Sequence, residues 1–215
     1  MSDMLTRRDV IQRVTALLGG AAIAGSDRLL AFSFADETRA QAMAQGVGAF
    51  SASDIALLDE IAETILPETS SPGAKAAKTG AFMALMVTDV YTERAREVFR
   101  DGMRQVDAAS TTANGVPFMT ASAAQRLALL QSLDREQKAA MDARLAPPTN
   151  RAPIPEAPGS DEPAHYFRMM KELALLGFFT SEIGCTKALR YIESPGKYDP
   201  CAPHAPGDRS WAAHA

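Results

Sequence analysis

Apolar residues recur at helical steps along most of this chain. Ile55, Leu58, Ile61, Ala62 and Ile65 mark an amphipathic helix, with N-caps and an acidic first turn in Ser51-Ala52-Ser53-Asp54. Pro67 stops it, and the turn-rich loop Pro67-Glu68-Thr69-Ser70-Ser71-Pro72-Gly73 follows. Gly80 introduces a second helical pattern through Phe82, Leu85, Met86, Val90, Phe99, Met103 and Val106. Its later half is charged, at Glu93, Arg94, Arg96, Glu97 and Arg100, as a solvated helix face is.

Asn114-Gly115-Val116-Pro117 reads as a turn. Two short helices are predicted next. Ser122 with Gln125 has the spacing of a capping box and opens the first, whose buried stripe is Leu127, Leu130 and Leu133. Asp134 with Gln137 repeats the spacing and opens the second, toward Leu145. Residues 146–163 hold six prolines in 18 residues, so neither regular helix nor central strand fits there. The last pattern, Phe167, Met170, Ala174, Phe178, Ser181, Cys185, Ala188 and Ile192, describes one helix face. Gly177 and Gly184 on that stretch predict a kink, a junction or close backbone approach. No alternating strand pattern and no long-period repeat occurs. The predicted architecture is all-α, a single domain of five or six helices with long irregular connections, loosely structured from Asp36 to Phe50.

The first 35 residues read as something other than fold. Arg7 and Arg8 precede a short apolar run, Val14 to Gly25, rich in Gly and Ala. That run is far below the roughly 20 residues a bilayer crossing needs. Paired arginines before it look like a twin-arginine export signal, with a small-x-small cleavage site at Ser33-Phe34-Ala35. Residues 36–215 are then the mature domain, expected in the periplasm. A cytosolic amphipathic helix with two surface arginines is the alternative.

Composition narrows the partners. Apolar residues make up 47% of the chain, enough for a real core, and the formal charge is −4. No basic patch lies beyond the leader, which argues against nucleic acid. No membrane-spanning run follows the leader either, so membrane contact is expected only through partners. In an exported protein, Cys185 and Cys201, sixteen residues apart, can pair. Such a bond stabilises by about 3 kcal/mol if unstrained. A bond from one cysteine to a partner chain remains open. A metal site of Cys185, Cys201 and His204 lacks close paired spacing.

Catalytic motifs are missing: no dinucleotide or P-loop fingerprint, no nucleophile elbow, no H-E-x-x-H and no C-x-x-C-H. His165, His204 and His214 fall near loops. Glu182 reads as a buried functional acid or as a cap at Thr180 or Ser181. Phe178, Phe179, Tyr191 and Tyr198 read as core or as a contact surface, since aromatics gather at interface centres. No catalytic, cofactor or metal residue is assigned to this chain. The rival is a stand-alone redox or ligand-binding protein using Cys185 and Glu182.

Two stretches carry a resemblance. DIALLDEIAETILPETSSPGAKAAKTGAF at 54–82 and LLGFFTSEIGCTKALRYIESPGKYDPC at 175–201 resemble the gluconate 2-dehydrogenase subunit 3 family. The first ends its helix in I-L-P, then S-P-G-A and Gly80; the second joins G-F-F-T-S-E-I-G to P-G-x-Y downstream. The resemblance implies a non-catalytic small, or gamma, subunit. Its partner would be a large FAD-containing subunit of the glucose-methanol-choline type, which abstracts hydride from a sugar or polyol. A cytochrome c subunit often takes the electrons onward in this family. The small subunit would assist folding and twin-arginine export of the flavoprotein. It makes Phe178, Phe179, Glu182, Tyr191 and Tyr198 interface candidates. The proline-rich segment 146–163 departs from the family pattern and leaves the substrate open among glucose, gluconate, fructose, sorbitol and 3-oxidised glucosides.

Overall fold

The computed structural model describes residues 46–145, 162–193, 196, 201, 203 and 205–212. Among them are α1 (Ala52–Ile65), α2 (Thr79–Val90), α3 (Glu93–Asn114), α4 (Ala123–Leu145) and α5 (Tyr166–Phe179). A 3-10 turn at Phe118–Thr120 joins α3 to α4, and a π-helical turn, Gly184–Ala188, follows α5. The all-α class is as the periodicity predicts.

Helix α5 is the axis of the bundle. It packs on each of the other four α-helices and on the π-helical turn. Its composition explains this: Phe167, Met170, Leu173, Ala174 and Phe178 are buried, as are Tyr166 and Met169. A stripe that wide serves neighbours on several sides at once. Small residues set the distances. A Cβ at Gly102 of α3 would run into Tyr166, and one at Gly177 would run into Phe82 of α2. Phe99 fills the other end of the core, edge-on to both Phe50 and Tyr91 at 6.1 and 6.4 Å.

Helix α1 starts with a complete capping box. Ser51 Oγ accepts from the Asp54 N–H at 3.2 Å, and the Asp54 carboxylate accepts from the Ser51 N–H at 2.8 Å. Just ahead, Val47 and Phe50 exchange two backbone hydrogen bonds of 2.8 Å, so this corner is ordered rather than loose. Phe50 is buried there.

Two expectations change. The pattern from Gly80 to Val106 is two helices. Tyr91 is extended, and Thr92 caps α3 by accepting from the Ala95 N–H at 3.3 Å. Conversely, the two short helices expected over 122–145 are one. Ser122 and Gln125 do cap it, but the Gln137 amide donates to Asp134 Oδ1 at 3.1 Å inside a continuous α4. Leu129, Leu130 and Leu133 are its buried residues, and Leu127 points out. The junction expected between Gly177 and Gly184 is present: α5 runs through Gly177 to Phe179, the chain turns at Thr180 and Ser181, and the π-helical turn opens at Gly184, close against the Phe178 carbonyl.

The proline-rich excursion has joined ends. Arg144 near the end of α4 donates to the carbonyls of Pro163 and Glu162 at 2.9 and 3.0 Å. Residues 146–161 lie outside the described residues.

Candidate partner-docking surface

Among the described residues, a cluster of acid-centred hydrogen bonds and ion pairs lies where α1 meets the 66–78 loop and the start of α2. Three acids on α1 face the loop. Glu63 accepts from the Glu68 N–H at 2.9 Å and the Lys75 N–H at 2.7 Å. Glu60 pairs with Lys75 at 2.6 Å and with Arg126 of α4 at 2.5 Å. Asp59, only 2% exposed, accepts from the Gly80 N–H at 2.6 Å.

That last bond is a helix cap supplied by another helix. The local N-cap of α2, Lys78, is left-handed at φ 52° and gives no side-chain cap. Asp59 therefore meets an N–H that α2 itself cannot satisfy, and sets a negative charge against the helix N-terminus. Burial pushes the Asp59 carboxyl above the ordinary aspartate range; the Gly80 N–H and the Lys75 ammonium oppose that rise. Glu60 and Glu63 hold the loop against α1, and Asp59 caps α2.

The triad around Glu60 gives a graded expectation. Arg126 and Glu60 side chains are 18% and 13% exposed, whereas that of Lys75 is 56% exposed. Glu60→Gln should lower the unfolding free energy by about 1–2 kcal/mol, because a half-buried guanidinium loses its carboxylate. Lys75→Ala should stay within about 0.5 kcal/mol. Urea denaturation measures both; equal losses would contradict the ranking.

The candidate interface residues separate sharply. Phe178 is core. Phe179 faces outward, edge-on to Phe178 with ring centres 5.1 Å apart. Glu182 is exposed, and Ser181 does the capping instead: its Oγ donates to the Phe178 carbonyl at 2.6 Å and accepts from the Gly184 N–H at 3.0 Å. Tyr191 and Ile192 are exposed, so the helical face predicted to run on to Ile192 ends earlier. Trp211 is exposed too, with Arg190 over its ring at 4.7 Å. Tyr198, His204, Arg7 and Arg8 lie outside the described residues.

The expected Cys185–Cys201 disulfide is not formed. Cys185 carries a free thiol, which donates to the Phe179 carbonyl at 3.2 Å and so points back at α5. Cys201 is exposed in a turn. Among the described residues, no group of three or more His, Cys, Asp or Glu is placed to hold a metal ion. His165, near the loop as the sequence has it, caps α5, its Nδ1 accepting from the Phe167 N–H at 3.2 Å.

Two concavities flank α4. One, of about 380 Å³, has an apolar floor from Ile65, Leu127, Leu130 and Phe167 beside the Lys171–Asp134 ion pair of 2.6 Å. The other, of about 340 Å³, lies between Val98, Met141, Arg144 and Tyr166. Several polar groups in them are already engaged: Lys171 with Asp134, His165 with the Phe167 N–H, and Arg144 with the Glu162 and Pro163 carbonyls. Among the described residues no helix is long and apolar enough to cross a membrane. Several large apolar side chains stand exposed, among them Leu127, Leu176, Phe179, Tyr191, Ile192 and Trp211.

Sequence reasoning missed Asp59, because a carboxylate inside a helical pattern reads as solvated. Its signal was the position: Asp59 lies between Leu58 and Ile61 on the buried side of α1. Comparisons with curated proteins and with solved structures return no match. The family model for gluconate 2-dehydrogenase subunit 3 matches residues 52–196, from the first residue of α1 to past the π-helical turn. With two thirds of its length matched in this way, the chain belongs to the gluconate 2-dehydrogenase subunit 3 family.

Proposed function

We propose that the chain is the non-catalytic small subunit of a periplasmic FAD-dependent sugar or polyol dehydrogenase. In this reading it assists folding of the flavoprotein subunit and carries it through the twin-arginine translocon. FAD and the reacting groups sit in that larger partner, and a cytochrome c subunit takes electrons onward. The observation that carries the reading is the family match over residues 52–196, a family described as one subunit of a dehydrogenase. Two features support it: acids spent on holding a loop, and outward-facing Phe179, Tyr191 and Ile192 near the α5 end.

The export half of the proposal rests on Arg7 and Arg8. Exchanging both for lysine should leave small and large subunits together in the cytoplasmic fraction. A large subunit that still reaches the periplasm would contradict the escort role.

A further inference from the structure

The segment after α5 is held by the C-terminal tail of the same chain. The π-helical turn closes with the Leu189 N–H donating to the Gly184 carbonyl at 2.9 Å, and the backbone leaves it extended at Leu189. Helix ends leave carbonyls without a partner. Here the tail supplies one: Arg209 Nη1 donates to the Lys187 carbonyl at 2.7 Å. The next tail residues pair with Arg190 as a short parallel bridge. The Arg190 N–H donates to the Ser210 carbonyl at 2.9 Å, and the Ala212 N–H donates to the Arg190 carbonyl at 2.8 Å. The Arg190 guanidinium over the Trp211 ring completes the contact. A turn just ahead aims the tail, with Gly207 at φ 92° and the Asp208 carboxylate accepting from the Ala205 N–H at 2.9 Å.

Little apolar area holds the tail down. Residues 205–211 are all exposed, Ala212 is half-buried, and none of them belongs to the core. The grip is a handful of polar contacts. Each nets little once exchanged for water. A cation over an exposed ring adds little more, and fixing the backbone of 209–212 costs a comparable amount. Terms so nearly balanced describe a segment that opens locally while the bundle stays folded. Opening strips partners from Lys187 and Arg190 together, so the π-helical turn loses its outer support in the same step.

We infer that residues 209–212 are a strap that closes on the π-helical turn, opens without unfolding the bundle, and sets whether residues 187–190 are locked. Opening frees the Lys187 carbonyl and both backbone groups of Arg190 along one edge, next to exposed Tyr191. The strap is independent of the subunit reading above.

Amide hydrogen exchange on the full chain tests it. In the wild-type chain the Arg190 and Ala212 amides should be protected, yet exchange at least about a hundredfold faster than those of Val106 and Leu173 in the core helices. Arg209→Ala should speed exchange at Leu189 by at least about tenfold, with Val106 and the melting temperature unchanged. Trp211→Ala should speed Arg190 and Ala212 in the same way. Arg190 and Ala212 exchanging as slowly as Val106 would make the tail part of the cooperative fold and overturn the inference. Free-peptide rates at both would show that the contact does not form, and overturn it equally. So would a Leu189 rate unchanged by both substitutions, since the turn would then stand without the tail.

Discussion

Gly80→Ala is expected to destabilise the chain by about 3 kcal/mol, the upper part of the range for overpacking. A Cβ there would stand 2.5 Å from the Ile55 carbonyl oxygen and 2.6 Å from the Asp59 nitrogen. Both atoms are backbone of α1, so no side chain can swing aside. The helices must separate, and separation stretches the bond from the Gly80 N–H to Asp59. For a chain of this size the loss corresponds to a fall in melting temperature of about 6–12 °C. Gly115→Ala is the control: nothing lies within 4 Å of its Cβ, and φ is 74°. It should cost only the left-handed strain, about 1–2 kcal/mol. A Gly80→Ala chain as stable as wild type would show that α1 and α2 are not in this contact.

The second large effect belongs to Asp59. Asp59→Ala should cost about 2–3 kcal/mol, since it leaves the buried Gly80 N–H without an acceptor and opens space beneath α2. Asp59→Asn keeps an oxygen for that N–H and should cost clearly less. The two also differ in pH dependence. The folded carboxyl sits above its unfolded value because burial outweighs the Gly80 bond and Lys75. A raised acid favours the folded state below the unfolded pKa and loses that contribution as pH rises through the folded one. Acidification toward the aspartate range should therefore raise wild-type stability relative to Asp59→Asn. Paired urea titrations across that range measure it; a gap that shrinks on acidification would reverse the sign.

Much of this fold was legible because local chemistry and tertiary packing agree. The Ser51–Asp54 capping box, Pro67 after α1, and the wide stripe of α5 each specify their element with no help from elsewhere. The misreadings have local causes. Tyr91-Thr92 breaks α2 from α3 without a Gly or Pro to announce it, and Thr92 was hidden inside an apparently continuous pattern. Asp134 and Gln137 imitate a second cap, but a hydrogen bond at that spacing also forms on the surface of an unbroken helix. At the candidate surface, Phe178 and Phe179 are adjacent and chemically alike, so only the phase of α5 places one inside and one outside. Asp59 was illegible because its partner, Gly80, lies 21 residues away on another helix.

The most direct test of the account is to purify the tagged full chain from its host and record the visible spectrum with the mass of the complex. The account predicts a yellow assembly holding one larger flavoprotein that oxidises a sugar or polyol. A colourless chain running alone would leave the helical bundle as described and contradict the subunit role.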